Sequence, residues 1–339
     1  MRKFGMLILV CLLLTFPVAA VYAAPPPDGP PGLERAIEVK EKHEKAILEV
    51  QGVTGVAVGL NGSSVPVVMI LTETPGVRGL PTSLGGVPVE MRVSGKLVAL
   101  PKGGKGGRVD PTARFERPVP IGVSTGHPDM TAGTIGARVT DGEDVFALSN
   151  KHVYADGNAA ELGDAVIQPG TFDGGVSPAD DIGTLYDFEP IVFGGADNIM
   201  DAAIALSSIE SLGNATPKGG YGTPKSETVA ADLSMKVKKY GRTTGLTKGQ
   251  IIGIDGTVDI EYGPGQVARF VHQIIISPGA FSSGGDSGSL IVTDAKGRDA
   301  SSYSNKPVGL LFAGSPLVTI ANPIDEVLSR FGVTIDDSE

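Results

Sequence analysis

The sequence predicts a mainly β protein: a long stretch of short strands closed by one helix, preceded by a small α+β unit. Three observations carry this. From about residue 119 onward, short apolar runs alternate with Gly/Asp/Pro/Asn turns, the texture of an all-β sandwich or barrel pair. The chain holds 48 glycines and 25 prolines with only 5% aromatics, which suits many turns and short strands. Ahead of that stretch, residues 33–50 carry a helical apolar pattern and are followed by three valine-rich runs.

The elements follow in chain order. "MRKFGMLILVCLLLTFPVAAVYAA" puts Arg2 and Lys3 before an apolar run that ends at Ala20, Ala23 and Ala24, so residues 1–24 read as a secretory signal peptide. Pro17 and the lack of a basic flank after the run argue against a membrane anchor. "APPPDGPPG" makes residues 25–32 an extended, proline-rich lead-in. "LERAIEVKEKHEKAILEV" predicts an amphipathic helix, and "VTGVAVGL", "VPVVMILTE" and "VPVEMRVSGKLVAL" predict strands, giving an α+β domain over 33–100. The Gly-rich, basic stretch at 101–118 has no hydrophobic period and reads as an exposed linker open to proteolysis. Residues 119–339 supply the strands "GTIGARVT", "DVFALSN", "DAAIALS", "MKVKKYG", "GQIIGIDG" and "HQIIIS". "NPIDEVLSRFG" closes the chain as a helix, with Asn322 as N-cap, Pro323 at the first helical position and Gly332 past its end.

Composition excludes several classes of function. The only cysteine, Cys11, lies in the signal segment, so the mature chain has no disulfide and no thiolate nucleophile or ligand. The net charge of −10 makes nucleic acid and anionic membranes poor partners. No second hydrophobic stretch is long enough to span a bilayer, so no stable membrane anchor is expected. Aspartate-rich loops such as "PADDIG" read equally well as solvated turns and as calcium sites, and no metal or organic cofactor is called for.

"GGDSGS" at 284–289 sets Ser287 among glycines, directly after Asp286. A serine hydroxyl needs a base to act as a nucleophile, and histidine, titrating near neutral pH, suits the task. Of four histidines, His43 lies in the charged helix, His127 in a turn and His272 on a strand face. His152 differs: "VFALSNKHV" leads from an apolar strand straight into it. Asp201 opens the alternating run "DAAIALS", a position that would bury a carboxylate able to hold an imidazole tautomer. Asp180, Asp181, Asp187 and Asp197 lie in loop-like surroundings. The glycines flanking Asp286 let the N–H groups of Gly285 and Ser287 converge on one point, where a tetrahedral intermediate would place its oxyanion.

The order His152, Asp201, Ser287, with anchors "SNKHV", "DAAIA" and "GGDSGS" spaced by 49 and 86 residues, resembles the trypsin/chymotrypsin-like serine peptidases. "YGRTTGLTKGQI" at 240–251 is similar to the opening of the second barrel in the secreted bacterial branch. The resemblance covers about residues 119–333. It implies two six-stranded Greek-key β-barrels of chymotrypsin-like form, a catalytic cleft between them, and a protein or peptide substrate. It further implies that Arg242 pairs with Asp286 to support the active site, and that Phe281, six residues before the serine, lies in the substrate pocket. The α+β domain would associate with the cleft as a pro-region, or stay attached as an accessory domain. An α/β-hydrolase does not fit, because its histidine comes last in the chain. The expectation is an exported serine endopeptidase, secreted or periplasmic. The alternative is a catalytically inert or self-processing-only barrel pair acting as a secreted binding scaffold.

Overall fold

The computed structural model describes residues 29–99, 109–155, 160–295 and 300–338. The predicted signal peptide, with Cys11, and most of the predicted linker lie outside the described residues.

In the leading unit, α1 (Leu33–Leu48) packs on β1 (Val53–Leu60), β2 (Pro66–Thr72) and β4 (Val87–Val93); β3 (Ser83–Leu84) pairs with β4, and β5 (Val98–Ala99) follows. The helix buries Leu33, Ala36, Val39, Ile47 and Leu48, the i, i+3 stripe that its sequence pattern demands. β1 and β2 have both faces covered. Val56, Val58, Val68 and Ile70 join the cluster under α1, whereas Ala57, Met69 and Leu71 join one containing Val258, Phe270 and Phe312. This explains why all seven residues of β2 are buried and why it reads as a continuous apolar run rather than an alternating one.

The next unit contains β6 (Ser124–Thr125), β7 (Gly133–Thr134), β8 (Ala137–Thr140), β9 (Val145–Ser149), the single turn α2 (Lys151–Tyr154), β10 (Ala165–Ile167), β11 (Asp181–Phe188), β12 (Asp197–Asn198) and β13 (Ala203–Ser207). The last comprises β14 (Lys236–Gly241), β15 (Gly245–Gly263), β16 (Gln266–Ser277), β17 (Leu290–Thr293), α3 (Ala300–Tyr303), β18 (Pro307–Gly314), β19 (Thr319–Pro323), α4 (Ile324–Phe331) and β20 (Thr334–Ile335).

The predicted mainly β class with a C-terminal helix is what the structure has. In the last unit β14, β15, β16, β19, β18 and β17 pair in turn, and β17 returns to β14, closing a six-stranded barrel. The fourth strand, β17, lies beside the first, which is the Greek-key order. The preceding unit forms a six-stranded antiparallel sheet in the order β10-β11-β13-β9-β8-β20. Its edge strand β20 comes from the chain's far end, after α4, and ties the two units together.

Two features differ from expectation. The leading unit does not form a sheet of its own, because β1 pairs antiparallel with β15 and joins a twelve-stranded sheet. The reason is the length of β15, 19 residues, which carries its outer half beyond the barrel wall and offers β1 an edge. The second difference concerns α4. Pro323 rather than Asn322 is the N-cap, with no side-chain cap bond, while Gly332 ends the helix at φ +66° as predicted. The Asn322 side chain is engaged elsewhere.

Candidate active site

β9 delivers the buried Ser149 and Asn150 to the start of α2, whose second residue is His152. Asp201 precedes β13, the strand paired with β9, so the strand ladder itself brings the two together. Asp201 is fully buried, and its Oδ2 lies 2.6 Å from His152 Nδ1. Its Oδ1 accepts the His152 backbone N–H at 3.2 Å. The Asn150 amide donates to the Asp201 carbonyl at 2.7 Å and Asn322 Nδ2 to the same oxygen at 3.1 Å, while Asp201 N–H donates to Asn322 Oδ1 at 3.2 Å. Burial works to raise the Asp201 pKa. The facing imidazole, the Tyr262 hydroxyl and the His152 amide outweigh burial and hold the carboxyl below the usual carboxylate range.

Ser287 sits in the turn between β16 and β17, 1% exposed, and its hydroxyl donates to the Phe312 carbonyl at 3.4 Å. His152 Nε2 is buried and has no hydrogen-bond partner among the described residues. The structure therefore joins His152 to Asp201 and leaves Ser287 on Phe312, without a bond from the serine to the imidazole. Gly285 and Gly288 both have φ +92°. A Cβ at Gly288 would fall 2.2 Å from the Thr134 carbonyl oxygen and from Ser149 Oγ. Thr134 holds this turn against the first sheet unit: its N–H donates to the Ser287 carbonyl at 2.8 Å and its hydroxyl to the Gly285 carbonyl at 2.8 Å. Asp286 N–H is taken by Ser283 O, but the N–H groups of Gly285 and Ser287 have no acceptor among the described residues.

The predicted partner of Asp286 was wrong. The ammonium beside Asp286 belongs to Lys239, with Nζ 3.2 Å from Oδ2 and both side chains fully buried. The Asp286 carboxylate also accepts the N–H groups of Thr243, Thr244 and Ser283 and the Thr244 hydroxyl. Arg242 makes a two-bond pair with Asp173, at 2.8 Å from Nε and 2.5 Å from Nη2. Its guanidinium still lies over the serine turn, since a Cβ at Gly285 would meet Arg242 Nη1 at 2.9 Å. Strand alternation explains the reassignment. Lys239 points from β14 into the barrel, whereas Arg242 follows the strand's end and reaches back to the first unit. Phe281 also differs from expectation. It is fully buried in the apolar cluster with Ile251, Ile276 and Leu311, so it fills the barrel core and does not line an open pocket.

The other candidates are not brought to this site. His127 pairs with Asp164, His272 with Asp255, Asp180 with Arg114 and Asp187 with Arg330. The sequence reading missed Lys239, Tyr262, Asn322 and Thr134; no local pattern marks them.

Solved structures that align with part of this chain include serine proteases. A glutamic acid specific serine protease superposes with a TM-score of 0.45 at 20% identity, over 64% of this chain and 100% of its own. For Thermobifida fusca Protease A the values are 0.44 and 19%, over 64% and 98%. For Cellulomonas bogoriensis chymotrypsin they are 0.43 and 16%, over 66% and 100%. No family model and no curated protein sequence matches the chain.

Proposed function

We propose that the protein is an exported serine endopeptidase that cleaves peptide bonds through an acyl-enzyme. The observation that carries this reading is the 2.6 Å bond between His152 Nδ1 and the buried Asp201 carboxylate, which leaves Nε2 as the free end of the ring. Ser287 leaves the Phe312 carbonyl, gives its proton to Nε2 and attacks the scissile carbonyl. Asp201 holds the tautomer and stabilises the imidazolium. The free N–H groups of Gly285 and Ser287 receive the oxyanion. His152 then protonates the leaving amine, and water, deprotonated by the same nitrogen, releases the acyl group.

The leading unit acts in this reading as a pro-region lying in the substrate groove. Val98 and Ala99 of β5 pair antiparallel with Gly314 and Ala313 of β18, immediately after Phe312, whose carbonyl holds Ser287. An extended substrate would add to the same edge. β5 also pairs parallel with Glu261 of β15, and Lys96 forms an ion pair with that glutamate. Phe281 lines no substrate pocket in this reading, since that ring belongs to the core.

The test is labelling of the secreted protein with a fluorophosphonate probe beside Ser287→Ala. Label lost in the variant, on a band shortened by the leading unit, supports an activated serine and a removed pro-region. A folded, processed protein that takes no label would favour the inert binding scaffold.

A further inference from the structure

We infer that Tyr262 is a positioning residue for Asp201, a role that rests on the peptidase reading above and goes beyond the triad. Tyr262 lies near the end of β15, 61 residues from Asp201 in sequence and in the other sheet unit. Its hydroxyl donates to Asp201 Oδ2 at 2.6 Å, the same oxygen that receives His152 Nδ1 at 2.6 Å. Its ring stands edge-on to the His152 ring, with centroids 6.0 Å apart at 73°, and packs edge-on against Phe193 and tilted against Phe270. The phenol is thus clamped by aromatic packing with its polar end in the triad.

Two donors on one carboxylate oxygen share its charge. The phenol therefore sets how much negative charge faces the imidazole and which way the carboxylate plane turns. The titratable groups bearing on Asp201 are His152 and Tyr262, and the one bearing on Tyr262 is Asp201. Burial first, and the Asp201 charge second, push the phenol well above its ordinary pKa, so it stays a donor across the working range of a histidine base. The contact also links the triad to the leading unit, because Glu261, the preceding residue, pairs with Val98.

The experiment uses the full chain with 15N-labelled histidine, comparing wild type with Tyr262→Phe, which keeps the ring. The signal is assigned with His152→Ala. Without the phenol, more charge on Oδ2 faces the ring. The His152 Nδ1 proton resonance should then move downfield and the His152 titration midpoint to higher pH. The fluorophosphonate labelling rate above that midpoint should nevertheless fall roughly tenfold, because the carboxylate plane that orients the imidazole loses a bond worth about tenfold to a charged group. Incorporation of 3-fluorotyrosine, a stronger donor, should move the same resonance upfield and keeps the inference testable if Tyr262→Phe does not fold. A lower melting temperature with an unmoved resonance and midpoint would make Tyr262 merely structural and overturn the inference. If the resonance responds but wild-type Ser287 takes no label, the peptidase reading fails while the coupling stands.

Discussion

Replacement of Lys239 by methionine tests how the serine turn is held. Lys239 and Asp286 are both fully buried, 3.2 Å apart, so the substitution strands a carboxylate in the interior. Burial lowers the Lys239 pKa and the Asp286 charge opposes that, so the ammonium is retained for its partner rather than for its own comfort. Breaking a buried pair from one side costs about 3–5 kcal/mol. Asp286 keeps four other donors, from Ser283, Thr243 and both groups of Thr244, which places the expected loss near the lower end, about 3 kcal/mol. For a chain of this length, with about 2.1 cal/mol/K of unfolding entropy per residue, that is a fall in melting temperature of about 4–5 °C. Thermal and urea unfolding followed by circular dichroism would measure it, with fluorophosphonate labelling as the readout of the turn. The double variant Lys239→Met/Asp286→Asn removes the stranded charge and should recover part of the loss. A single variant less than about 1 kcal/mol below wild type, or a double variant no better than the single, would refute the buried-charge argument.

Two further outcomes follow from the same geometry. Gly288→Ala should cost more than about 3 kcal/mol and abolish labelling, because its Cβ meets backbone at 2.2 Å, whereas Gly86→Ala, at φ +84° with open space, should cost about 1 kcal/mol; equal losses in urea unfolding would refute the clash. Because the Asp201 carboxyl is held below its ordinary pKa when folded, its contribution is full above that ordinary value and is lost as the pH falls through the folded one. Asp201→Asn should therefore flatten the decline in stability below about pH 4, and an unchanged slope would show that the carboxylate carries no such linkage.

Much of the local placement of the candidate site was legible in the sequence. The apolar run after Asp201 announced a buried carboxylate, the run before His152 placed it at a strand end, and two of the glycines around Ser287, Gly285 and Gly288, take a positive φ. The helix over residues 33–48 followed from its apolar spacing. These are properties of neighbours in sequence, where a backbone period or a steric requirement speaks for itself.

Tertiary structure decided the partners. Lys239, on the inward face of β14, meets Asp286, whereas Arg242, three residues on and past the strand's end, meets Asp173. Tyr262 and Asn322 reach Asp201 from 61 and 121 residues away, through a hairpin and a closing strand that carry no mark of the site. Phe281 became core because the bare backbone of Gly249 leaves room for its ring in the cluster with Ile276. The long β15 turned a separate leading unit into part of one sheet, and put Val98 and Ala99 beside Phe312. Local pattern dictates what each residue can do, since it follows from chain geometry and side-chain chemistry. Which groups meet is settled by long-range packing, whose distances no short stretch of sequence contains.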